Sequence, residues 1–82
     1  MKVIPLSSRL EKYLIKHQIT EVFRKQTELF LHNPFHSSLR TEILEPKHLK
    51  FYSFRVTRQY RAIFIYRAPG TIEIIDVNNH YR

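Results

Sequence analysis

Cysteine and tryptophan do not occur in the 82 residues, and glycine occurs once. The lack of cysteine excludes a disulfide framework and a thiolate metal site, and it fits a reducing cytosol. Acidic residues are also scarce: seven Asp and Glu face fourteen Lys and Arg, for a net charge of +7. No apolar run approaches the length that crosses a bilayer. The first residues lack the apolar stretch of a secretion signal. The chain holds no repeat, no low-complexity tract and no linker that would divide it. Its five histidines (His17, His32, His36, His48, His80) lack the paired spacing of a metal site on one helix. No metal or cofactor is therefore expected.

What remains is one basic domain over residues 1–82, with 43% hydrophobic residues, enough for a small core. The excess positive charge steers a protein towards nucleic acid, the ribosome or an acidic partner. Solubility alone is the plainer explanation of the same charge.

Element order follows from periodicity. Lys2-Val-Ile-Pro5 reads as a short strand, at an edge or ending where proline removes a donor. Ser7 or Ser8 offers a helix N-cap, and Leu10, Tyr13 and Leu14 follow at helical spacing to about His17. Thr20 is a second N-cap candidate. Ile19, Val22, Phe23, Leu29, Phe30 and Leu31 then give an apolar stripe to about His32. A link this short makes the two helices an antiparallel hairpin. Asn33-Pro34 ends the second helix. Residues 33–50 read as irregular, with a turn or strand around Leu39–Leu44. Three strands follow: Phe51–Val56, Tyr60–Tyr66 and Thr71–Val77. Pro69-Gly70 joins the last two. The expected fold is α+β in two layers, the helical hairpin packed on a C-terminal antiparallel meander.

The strands carry unusual chemistry. Arg55, Arg58, Arg61 and Arg67 sit in or beside runs of tyrosine and phenylalanine. Guanidinium forks match phosphate oxygens, and aromatic faces match bases. The face turned away from the helices is therefore expected to be basic and to suit RNA. Lys47, His48 and Lys50 form a basic run before the sheet. Strand parity depends on turn length. A two-residue turn at Arg58-Gln59 puts Arg61 with Val56 on the core face and Arg55 opposite; a longer turn or a bulge reverses this.

Four segments together resemble the RelE/ParE superfamily of bacterial type II toxins. They are Asn33-Pro-Phe-His-Ser-Ser-Leu-Arg-Thr-Glu42, Phe51-Tyr-Ser-Phe-Arg-Val56, Gln59-Tyr-Arg-Ala-Ile-Phe64 and Asp76-Val-Asn-Asn-His80. The resemblance implies the RelE-like fold and a cognate antitoxin as partner, in a toxin–antitoxin heteromer or as a homo-oligomer. It implies a cytoplasmic protein that is either a ribosome-dependent mRNA endonuclease or an inhibitor of DNA gyrase. A degenerate member that only binds RNA or antitoxin is a third outcome. Similarity to the YoeB-type arrangement assigns the catalytic set residue by residue. Glu42 is the base, Arg61 opens a central strand as the phosphate clamp, and His80-Tyr81 is the terminal pair. Glu45, three residues on, competes for the role of Glu42. The segment Phe35–Arg40 departs from that type, towards groups in which His-Asp replaces His-Tyr.

The chemistry is coherent on its own terms. Metal-free RNA cleavage needs a base for the 2′-hydroxyl, a cation for the phosphorane-like transition state, and an acid for the leaving 5′-oxygen. Histidine suits the acid near neutral pH, and Tyr81 can hold a base splayed. Arg55, Lys50, Lys47 and Arg58 are expected to bind phosphate or RNA. Each residue has a plainer role. Glu42 can be a solvated carboxylate, and Arg61 can pair across strands with Asp76 or Glu73.

Overall fold

The computed structural model describes residues 1–79. Strand β1 (Lys2–Val3) leads into helix α1 (Ser8–Lys16) and helix α2 (Thr20–His32). Strand β2 (Glu42–Ile43) follows, then β3 (Tyr52–Arg55), β4 (Tyr60–Ala68) and β5 (Thr71–Asn79). Single 3₁₀ turns at Ser37–Leu39 and Lys47–Leu49 flank β2. Among the described residues, no helix is long and apolar enough to cross a membrane.

Ser7 caps α1 by accepting from the Leu10 amide. The helix ends in a left-handed residue, Gln18, at φ 57°. The Ile19 amide donates to Leu14 and the Gln18 amide to Ile15, the paired closure of a Schellman motif. That closure corrects the expected cap of α2. Ile19 is already held by α1, so Ile19 occupies the cap position without a side-chain bond, and Thr20 is the first helical residue.

The helices lie on a five-stranded sheet of order β1-β5-β4-β3-β2. Strands β3, β4 and β5 form the expected antiparallel meander, with β2 added antiparallel at its edge. The sheet as a whole is mixed, because β1 pairs parallel with β5. Proline at position 5 limits this strand to the edge. Pro69 and Gly70 close the β4–β5 turn. Gly70 sits at φ 76°, where a type II turn favours glycine.

The core lies between the helices and one sheet face. Phe30 of α2 stacks on Phe54 at 5.1 Å and meets Phe64 edge-on at 4.9 Å, and all three rings are fully buried. Leu10, Leu14, Ile19, Phe23, Leu39, Val56, Ala62, Ile72, Ile74 and Val77 complete it. Helix α2 buries Gln26 and Thr27 as well as its apolar stripe. The Gln26 side chain donates to the Arg55 carbonyl at 2.9 Å and so fixes the end of β3.

Candidate functional site

The β3–β4 turn decides what the opposite face presents. The amides of Val56 and Thr57 both donate to the Tyr60 carbonyl, and Thr57 Oγ1 accepts from Gln59 and Tyr60. This turn is longer than two residues, so Arg55 stands directly opposite Arg61. Register then places Ser53, Arg55, Arg61 and Ile63 on one face, and Tyr52, Phe54, Ala62 and Phe64 on the core face. Glu42 pairs with Ser53 and joins the first set. Asn78 pairs with Arg61 from the β5 side.

Arg61 is the centre of this face and is only 9% exposed. Its Nε and Nη2 donate to the Ser53 hydroxyl at 3.1 and 2.7 Å. Nη2 also donates to the Arg40 carbonyl at 3.0 Å. Nη1 makes no hydrogen bond among the described residues. The Glu42 carboxylate lies 4.0 Å from Nη2, with its side chain 58% exposed. Burial pulls the Arg61 pKa below its usual value; Glu42 acts the other way, and the Arg55 and Arg40 charges add to the lowering. Arginine stays protonated through such a shift. The result is one buried arginine acted on by two further arginines and one accessible carboxylate.

Arg40 reaches this cluster through its backbone. It follows the first 3₁₀ turn in a left-handed conformation, φ 46°, and its carbonyl bonds Arg61. Thr41 bonds the Pro34 carbonyl at 2.6 Å and ties the 33–41 segment down just before β2.

The structure thus brings together Glu42, Arg61 and Arg55 from the sequence-derived set. Glu42 stands on a paired strand beside Arg61, whereas Glu45 lies beyond that strand. The expected alternative partners of Arg61 are engaged elsewhere: Asp76 pairs with Arg9, and Glu73 with Arg67. Lys47 and Lys50 are exposed on the second 3₁₀ turn, and Arg58 is exposed in the β3–β4 turn. Among the described residues, no hydrogen bond or ion pair joins these three to the Arg61 cluster. His80 and Tyr81 lie outside the described residues. Sequence reasoning missed Arg40, Ser53 and Gln26. Only Ser53 left a legible signal, as a small hydroxyl on the outward parity of β3. Among the described residues, no three His, Asp or Glu side chains gather to hold a metal ion.

No protein-family model matches the sequence, and no curated protein matches it. Among solved structures, a YoeB/ParE toxin from Agrobacterium tumefaciens superposes with a TM-score of 0.71, covering 99% of this chain and 100% of its own, at 18% identity. With its helical hairpin on a mixed sheet, the chain has the fold of the YoeB/ParE toxin.

Proposed function

We propose that the chain is the toxin of a type II toxin–antitoxin pair, an endoribonuclease that cuts mRNA in the ribosomal A site. One observation carries the reading: a buried arginine, whose Nη1 makes no hydrogen bond among the described residues and whose Nη2 stands 4.0 Å from an accessible carboxylate, lies on a basic sheet face. Burying a guanidinium costs stability, and such a cost is ordinarily offset by function or by a full set of partners. Among the described residues the set is one hydroxyl, one carbonyl and a loose carboxylate. The likeness to a toxin fold supports the same reading.

In this mechanism Glu42 takes the proton of the 2′-hydroxyl. The oxygen attacks the adjacent phosphorus, and Arg61 stabilises the charge that develops on the phosphoryl oxygens. His80 gives a proton to the departing 5′-oxygen, leaving a 2′,3′-cyclic phosphate and a 5′-hydroxyl. Tyr81 stacks on a neighbouring base and keeps the attack in line. Arg55, Lys50, Lys47 and Arg58 hold the backbone. An antitoxin with an acidic segment covers the basic face, and the fold's own net charge favours that partner.

Cell-free translation tests this. Purified wild type is expected to cut the codon in the A site of a stalled ribosome, and Glu42→Gln and His80→Ala to lose that cut. Inhibition of gyrase supercoiling with no cut would overturn the nuclease and favour the gyrase role.

A further inference from the structure

At the far end of the same two strands lies a cleft whose aromatic lining takes no part in the proposed cleavage. Leu49, Lys50, Phe51, Tyr52, Ile65 and Tyr66 line it, with a volume of about 430 Å³, in the range of small-molecule sites. Leu49, Phe51 and Tyr66 are exposed although large and apolar. Tyr66 is five residues from Arg61 along β4, roughly 17 Å at strand rise. The rings are held in place. Tyr66 meets Tyr52 edge-on at 5.4 Å, and both contact Phe64 of the core, at 5.9 and 5.5 Å. Lys50 stands at the mouth in a left-handed conformation, φ 60°, fixed by a bond from its amide to Lys47. No lining residue is acidic. Glu73, opposite Ile65, is taken by Arg67, and Glu45 precedes the basic turn of Lys47, His48 and Lys50.

We propose that this cleft is a second RNA subsite, which takes one unstacked base of single-stranded RNA against Tyr66 and Phe51 while Lys50 and Lys47 meet the flanking phosphates. Pre-set aromatic faces next to cations are what base stacking along a single strand requires. Tyr66 shares the helix-side parity of Tyr52 and Phe64, so the subsite lies around the strand end from Arg61 and holds a stretch of RNA away from the cut. The inference rests on the RNA reading of the Arg61 site but not on cleavage there.

The test uses fluorescently labelled 2′-O-methyl oligouridine, which cannot be cut, and full-length protein. Tyr66→Ala and Phe51→Ala are each expected to weaken binding about five- to hundredfold, with Tyr66→Phe near wild type because the ring remains. Backbone amide shifts of wild type on titration guard against misfolded variants; Lys50, Phe51 and Tyr66 are expected to move. Unchanged affinity in both alanine variants, or no shift at the cleft, overturns the subsite and leaves the patch to a protein partner. Loss of the nuclease reading is scored separately, by absence of cutting on ribosomes, and leaves this binding result standing.

Discussion

The two faces of the sheet obey different rules. On the helix side, Phe54 and Phe64 are fully buried against Phe30, Ala62 is fully buried beside them, and no charged group is buried there among the described residues. On the other side, three residues away at most, Ser53 is fully buried and Arg61 nearly so, yet both are polar and Arg61 is charged. The first face is explained by stability alone. The second is not, since a methionine–alanine pair would fill the same space without the desolvation of a guanidinium. The charge kept where an apolar group would serve is the observation on which the proposed role of Arg61 rests.

Substitutions on each face break or sharpen this contrast. Phe54→Ala should have the largest effect on stability, about 3–5 kcal/mol, because it opens a cavity under Phe30. In a domain of this size each kcal/mol is worth roughly 4–8 °C of melting temperature, so calorimetry should show a drop of more than ~10 °C. Ser53→Ala should cost about 1–3 kcal/mol, read by urea unfolding, because the Arg61 Nε and one Nη2 bond lose their acceptor in a buried site. Adding Arg61→Met to that variant should return stability to within about 1 kcal/mol of wild type, since both polar partners are then gone. A double variant as unstable as Phe54→Ala would show that Arg61 holds the fold and would erase the contrast. Glu42→Gln should change stability least, by about 0.5 kcal/mol or less, because the carboxylate is exposed and its ion pair is long. Its growth arrest in bacteria should nonetheless be lost.

A pH effect separates the faces as well. Burial first, then the Tyr60 and Asp76 charges, raise the Tyr13 pKa above its ordinary 10.0. Tyr13 packs on His17, whose ring bonds the Tyr60 hydroxyl at 3.1 Å. A raised folded-state pKa means the folded form holds its proton longer than the unfolded chain. The contribution is fully present below pH 10 and is lost as pH rises through the folded value. Urea midpoints of Tyr13→Phe should therefore fall less steeply than wild type above pH 10.

The core face was legible in the sequence because alternation in β3 and β4 has only one physical reading when helices cover one side. Tyr52, Phe54 and Val56 alternate with Ser53 and Arg55, and the structure keeps that parity. The helix stripe was legible through Ile19, Phe23 and Phe30. Gln26 and Thr27 were not, because polar residues read as outward unless the distant group they meet is known; Gln26 meets the Arg55 carbonyl. The parallel pairing of β1 left no trace in a two-residue strand ended by proline. The site was legible by residue type and illegible by position. Whether Arg55 faces Arg61 turned on the length of one turn, set by bonds among Val56, Thr57 and Tyr60. Arg40 joins through a backbone carbonyl, which no side-chain pattern encodes.

The most direct test maps mRNA 5′ ends in translating bacteria that express wild type or the Ser53→Ala/Arg61→Met protein at equal, folded levels. The account predicts codon-phased cuts with wild type and none with the double variant. Cuts that persist in the double variant, or growth arrest by wild type without any cuts, would contradict it.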